Sequence, residues 1–283
     1  MKFGKFAPLG ATMALAFATP ALAQDAGGVD WTGPYVGGSF GYTFQKKDGA
    51  EHLRFDTDGD GAFDDQPRLG SGAPAFSPGT CGGAARGRTP AAGCSGDKDA
   101  IGWMGHVGYD MQFGSIVAGI VGEAGKSYIS DSVTEFSTNP ASYTFTRRID
   151  WNANLRARLG YTTPGGVMPY ITGGLAYAKV KNAFRQDGNG NNTFTPGNAK
   201  EDAWGWTMGG GLEAKVAPNF SIGARYLWTR YKANDYTVVA GPNANPAVAP
   251  TAFNNGFTNG QTVIGRGDKF DTQSVMATAS FRF

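Results

Sequence analysis

Ile149-Asp150-Trp151-Asn152-Ala153-Asn154-Leu155-Arg156-Ala157-Arg158-Leu159-Gly160-Tyr161 alternates along its whole length. Ile149, Trp151, Ala153, Leu155, Ala157, Leu159 and Tyr161 share one parity, and Asp150, Asn152, Asn154, Arg156, Arg158 and Gly160 the other. Successive side chains of a strand point to opposite faces, so period two reads as strand. In a soluble sandwich the polar face would meet water and the apolar face a core. In a membrane barrel the apolar face meets lipid and the polar face fills the lumen.

Seven further segments read the same way. They are Pro34 to Phe44, Ile101 to Phe113, Ile116 to Tyr128, Pro169 to Lys179, Trp204 to Val216, Phe220 to Arg230 and Phe270 to Phe283. The first puts Val36, Phe40, Tyr42 and Phe44 on one face. The last places Val275, Ala277, Ala279, Phe281 and Phe283 opposite Ser274, Thr278, Ser280 and Arg282.

The connections decide between sandwich and barrel. Gly114-Ser115, Pro164-Gly165-Gly166 and Ala217-Pro218-Asn219 are tight turns, whereas residues 45–99, 130–147, 181–200 and 232–268 form long connections. Strict short/long alternation is expected of an outer-membrane barrel with short periplasmic turns and long external loops. Aromatic residues gather near strand ends at Trp31, Tyr35, Phe113, Trp151, Tyr161, Trp204, Trp206, Trp228, Tyr231, Phe281 and Phe283. That distribution suits girdles at the two membrane interfaces. The expectation is an all-β, eight-stranded antiparallel up-and-down transmembrane barrel.

Lys2 and Lys5, the apolar run Ala7 to Phe17 and the small-residue site Ala21-Leu22-Ala23 read as a signal peptide, cleaved before Gln24. An N-terminal anchor helix is the competing reading, but the run falls short of the roughly 20 apolar residues a span needs. Removing the first 23 of 283 residues leaves a 260-residue barrel domain, 24–283, with 23 basic and 23 acidic residues. A neutral chain without basic clusters argues against nucleic-acid binding. Charged residues are 17% of the chain, below the quarter usual in soluble domains, while aromatics reach 13%. Cys81 and Cys94 lie in a Gly/Pro-rich stretch behind the signal peptide, which favours a local disulfide.

Particular stretches resemble the alphaproteobacterial outer-membrane immunogenic proteins, a porin-family group of small OmpA-type barrels. They are Trp31-Thr32-Gly33-Pro34-Tyr35-Val36-Gly37, Arg156-Ala157-Arg158-Leu159-Gly160-Tyr161 and Pro169 to Tyr177, with Gly205-Trp206-Thr207 and Gly209 to Glu213 on the sixth strand. The closing Ser280-Phe281-Arg282-Phe283 resembles the aromatic signal read by the barrel-assembly machinery, which the resemblance makes a partner through Phe283. Arg225 stands where that pattern leads one to expect an acidic residue. The resemblance implies an abundant structural and antigenic surface protein in the outer membrane of a Gram-negative bacterium, with outer-membrane lipid around it.

Two constellations carry potential chemistry. Asp56, Asp58 and Asp60, followed by Gly61 and then Asp64, match the start of a calcium loop, whose twelfth position here is Pro67 instead of the bidentate Glu. Weak calcium binding and a merely solvated acidic loop are both compatible with this pattern; no other cofactor is expected. Inward charges form the second: His106, Asp110, Glu123, Asp150, Arg156, Arg158, Glu213, Lys215, Arg225 and Arg282. Charges of both signs in an eight-stranded lumen suggest a salt-bridged plug, because such an interior is just wide enough for side chains to fill it. A low-conductance channel for small solutes is the alternative. His52 and His106 lie in no nucleophile motif, and Gly209-Gly210-Gly211 sits in a strand with room for large neighbours, so no enzyme is expected. External ligands or a host surface would be met at the long loops.

Overall fold

The computed structural model describes residues 29–45, 51–188, 192–233, 236–243, 253, 261–267 and 269–283. Residues 1–23, read from the sequence as a signal peptide, lie outside them. Eight long strands follow one another: β1 Gly33–Phe44, β2 Ala100–Phe113, β3 Ile116–Lys126, β4 Ala141–Tyr161, β5 Val167–Gly188, β6 Lys200–Ala217, β7 Phe220–Lys232 and β8 Lys269–Arg282. Each pairs antiparallel with its predecessor, and β8 returns to β1 in a register running from Tyr35↔Arg282 to Phe44↔Gln273. The ring is closed, so no barrel strand leaves an unpaired edge.

The barrel is inverted relative to a soluble protein. Leu155 is 58% exposed on the outside while its neighbour Arg156 is 2% exposed on the inside. Phe40, Ile101, Val107, Ile120, Ile171 and Leu175 continue the outward apolar band. On β5 the band spans Val167 to Tyr177, about 26 Å for a strand tilted by some 40°, which matches an outer-membrane hydrocarbon layer. At its extracellular rim Trp151, Tyr177 and Trp204 pack in a row, with ring centroids 5.3 and 4.9 Å apart. The three short turns fall where expected, and Gly114 and Gly166 supply the positive φ (61° and 73°) that these tight reversals require.

The long connections differ from the expected loops. Within 130–147, Ser130–Ser137 forms a strand against Ala141 to Arg148 of β4; within 181–200, β5 continues to Gly188. Asn192–Pro196, Val238–Asn243, Thr262–Arg266 and Leu53–Asp56 form a separate four-stranded sheet in that order. Together they make an extracellular head with its own apolar core, in which Leu53, Phe55, Val133, Tyr143, Phe145, Val238, Phe253 and Ile264 are buried. Strand was missed because Ser130–Ser137 is buried on both faces and shows no alternation.

A β-bulge interrupts the β4–β5 ladder: Lys179 pairs with Trp151 and Val180 with Ile149, leaving Asp150 as the extra residue. An extra residue reverses which parity faces inward. Ile149, expected outward, is therefore buried inside. Asp150, expected in the lumen, stands on the outer wall 3.0 Å from Lys181 Nζ.

Candidate functional site

The lumen is stacked in tiers. At the periplasmic mouth Trp31 is fully buried against Val117 and Met168, and its Nε1 donates to Thr162 Oγ1 at 2.9 Å. Trp31 and Tyr35 thus lie inside the barrel and not in a girdle, as their parity opposite to Val36 could have indicated; Tyr231 is also inward. Lys215, expected among the lumen charges, reaches only this mouth, where it donates to the Asp30 and Pro218 carbonyls.

Above Trp31 two arginines and two carboxylates interlock. Arg158 Nε donates to Asp110 Oδ1 at 2.7 Å and its Nη1 to Glu213 Oε2 at 2.8 Å. Arg282 Nη1 lies 2.7 Å from Asp110 Oδ2, and its Nη2 3.2 Å from Glu213 Oε1. Ser221 Oγ donates to Glu213 Oε1 at 2.6 Å, and both guanidinium groups pack over the Tyr35 ring. These charges come from β2, β4, β6 and β8, so one network ties alternate strands of the ring.

A second ionic group follows. Arg225 pairs with Glu123 and donates to Ser39 Oγ at 3.0 Å, and Arg156 Nη2 lies 3.6 Å from Glu123 Oε2. Arg225, out of keeping with the family pattern, is thus neutralised by β3. His106 Nε2 meets Ser280 Oγ at 2.9 Å. Two cavities in the lumen are about 20 Å³ each, room for roughly one water. The glycine run makes space as expected: a Cβ on Gly211 would come within 2.8 Å of the Tyr170 hydroxyl, and one on Gly209 would press on Leu227.

Above the membrane midsection Ile129, Ile149, Ala176, Ala178, Val180, Ala203, Tyr231 and Phe270 fill the bore with an apolar layer. A further ion cluster, not foreseen from the sequence, roofs it. Arg147 Nε lies 2.6 Å from Asp131 Oδ2, its Nη2 donates to Glu51 Oε1 at 3.0 Å, and its guanidinium stacks 4.4 Å over Phe270. Arg266 joins both carboxylates, with 2.8 Å to Asp131. Its members come from three different long connections, with Asp131 and Arg147 at opposite ends of one of them, so no local spacing announces them.

In the head, burial pushes the Glu135 carboxyl up to about 7 and that of Asp97 to about 6. Glu135 accepts from the Leu53 amide at 3.0 Å and lies 3.6 Å from His52 Nδ1. Cys81 and Cys94 are joined. Asp56, Asp58 and Asp60 bring one carboxylate oxygen each within 4.8 Å of one another, whereas Asp64 stands apart from this group. The Asp56 carboxylate accepts from the Gly59 and Gly61 amides at 2.7 and 3.1 Å, so backbone amides already fold this turn around it.

A closed ring with a lipid-facing apolar band and an ion-paired interior defines a transmembrane β-barrel of the outer-membrane kind. The description "Outer membrane protein beta-barrel domain" matches residues 9–283, and the chain belongs to that family. It is an outer-membrane protein of a Gram-negative bacterium. The chain is 35% identical over 138 residues to the 31 kDa outer-membrane immunogenic protein of Brucella melitensis, an alignment covering 47% of this chain and 55% of that one. It is 28% identical over 176 residues to the 22 kDa outer membrane protein of Rhizobium leguminosarum, covering 62% and 69% respectively. The chain thus spans about half the length of the Brucella relatives it matches at 35% identity. Among solved structures, OprG from Pseudomonas aeruginosa aligns over 90% of this chain and 99% of its own, at 11% identity and a TM-score of 0.47.

Proposed function

We propose that the protein is a structural barrel whose lumen is closed to solutes and whose folded head offers an antigenic or adhesive surface. The observation that carries the reading is the stack inside the bore: Trp31, two ionic groups, an apolar layer and an ionic roof, with cavities of about one water between them. A path for hydrated ions would have to open every tier, and separating the buried pairs costs several kcal/mol each.

The reading assigns the chain no catalytic step. The buried His106–Ser280 pair brings a hydroxyl to an imidazole, but His106 Nδ1 has no hydrogen-bond partner among the described residues to orient it. Recognition of the outward-facing Phe283 by the barrel-assembly machinery, and of the head by an external ligand or host surface, belongs to the same proposal.

Planar-bilayer recording from refolded protein, shown folded by heat-modifiable migration, tests the closed lumen. Electrical silence is the expected result. Discrete, reproducible steps would replace it with a low-conductance channel for small solutes.

A further inference from the structure

Just above the Trp151–Tyr177–Trp204 row, the outer wall carries an arrangement that strand pairing alone does not favour. Lys181 on β5 is in direct register with Arg148 on β4 and with Lys200 on β6. Three cations therefore lie abreast on the same outward face of three neighbouring strands. Like charges directly opposite on adjacent strands destabilise a sheet. Lys126 on β3 and Lys179 on β5 lie on the same wall, each in register with an outward partner, Trp103 and Asp202 respectively.

The local carboxylates do not balance this charge. Asp150 takes Lys181 at 3.0 Å and Asp202 takes Lys179 at 2.6 Å, while Arg148 and Lys200 are exposed. Five cations thus face two carboxylates on one patch. Its height is also specific. Lys181 is four residues beyond Tyr177 on β5, about 10 Å further from the midplane for a tilted strand. A lysine side chain can cover much of that distance by reaching back toward the interface. The row therefore stands at the polar headgroup layer of the outer leaflet, which is several ångströms deep.

We propose that Arg148, Lys181 and Lys200 form a docking row for the phosphate groups of a phosphorylated glycolipid in the outer leaflet. Acyl chains of that lipid lie along the apolar band below, its sugar headgroup lies at the aromatic row, and its phosphates bridge the three strands. The like-charge register that is unfavourable in the bare sheet becomes the binding determinant once an anion lies across it.

The test uses the full refolded chain in neutral detergent, titrated with bis-phosphorylated lipid A, with the same lipid after enzymatic dephosphorylation, and with inorganic phosphate. Bound lipid is read by native mass spectrometry. An Arg148→Gln/Lys181→Gln/Lys200→Gln variant is compared with one carrying Arg54→Gln/Arg68→Gln/Arg86→Gln, which removes the same charge from the head. At about fivefold per cation near an anionic surface, the row variant should lose roughly a hundredfold in lipid A affinity. The head variant should match the parent, and dephosphorylated lipid should bind the parent as weakly as lipid A binds the row variant. In lipid-free detergent the row variant should melt at the same temperature as the parent or higher, an outcome that a purely structural role would reverse. Equal binding of phosphorylated and dephosphorylated lipid, an equal loss in the head variant, or competition by millimolar inorganic phosphate would overturn the proposal. Conductance plays no part in these readouts, so the closed-lumen reading stands or falls separately.

Discussion

Arg158 Nε on β4 donates to Asp110 Oδ1 on β2 at 2.7 Å, across the intervening strand β3. Both residues are buried, and the same guanidinium also holds Glu213 of β6. Removing it by Arg158→Ala leaves Asp110 and Glu213 with Arg282 as their one remaining arginine. Breaking a buried pair in this way costs about 3–5 kcal/mol. Urea unfolding of the barrel in vesicles should show a loss of that size. A loss below about 1 kcal/mol would mean that the lumen network is wet and exchangeable.

The extra residue at Asp150 sets which side chains of upper β4 face inward. Deleting Asp150 should restore the regular ladder and keep Ile149 and Arg147 inward, since Val180↔Ile149 would then follow Lys179↔Trp151 directly, whereas one residue inserted beside Asp150 should turn both outward. The expected result is a protected head after the deletion and, after the insertion, a head that proteases remove while the membrane portion keeps its heat-modifiable migration. A head that stays protected after the insertion would show that the bulge absorbs extra residues instead of defining the strand's phase.

Glu135 and Asp97 make the head respond to pH. Their folded values, about 7 and about 6, lie above the ordinary carboxylate range because burial penalises the charged form. The folded head therefore binds more protons than the unfolded one between about pH 4 and 7. Its stability is greatest at the acid end of that window and falls as pH rises through it, by on the order of 3 kcal/mol for Glu135. Protease susceptibility of the head, measured from pH 4.5 to 8, should rise with pH, and Glu135→Gln should flatten the profile. A parent profile that falls with pH would contradict the assignment.

The Cys81–Cys94 link closes a segment with a sequence separation of 13. A loop of that size gains about 3 kcal/mol of order from its cross-link. Reduction, or Cys81→Ser/Cys94→Ser, should expose residues 79–95 to proteolysis and leave the barrel inserted. Loss of insertion would show that the link is needed before the ring closes.

The eight membrane strands were legible because each sees two different solvents, lipid outside and a polar lumen inside. That contrast writes itself as alternation from Val36 to Phe283. Arg156, Arg158 and Arg282 are inward for that reason, as expected. Asp150 was misplaced because a bulge leaves no mark in the alternation itself: the run from Ile149 to Tyr161 reads as unbroken. Lys215 was placed on the correct face but too deep, since its long stem reaches the mouth instead. Trp31 and Tyr35 were read by residue type, when the parity of Tyr35 against Val36 already pointed inward. The head was illegible for a different reason. Its strands pair across connections that are far apart in sequence, and Leu53, Val133, Val238 and Ile264 share one core only through the tertiary fold. For the same reason, trimming 45–99 would remove Leu53–Asp56 from the four-stranded sheet and unsettle the whole head, not a single loop.

The order of strands in that head sheet has a consequence for how the molecule matures. Asn192–Pro196, Val238–Asn243, Thr262–Arg266 and Leu53–Asp56 come from the third, the fourth and the first connections of the barrel. The last pairing, Leu53–Asp56 with Thr262–Arg266, joins residues about 210 positions apart, and they become neighbours when β8 meets β1. Such distant pairs form late, because the chain must first lose the entropy of closing so long a loop. A conformation-specific antibody against this sheet would therefore act as a seal of completion, staining molecules whose β1–β8 seam has shut and passing over those still open at the assembly machinery.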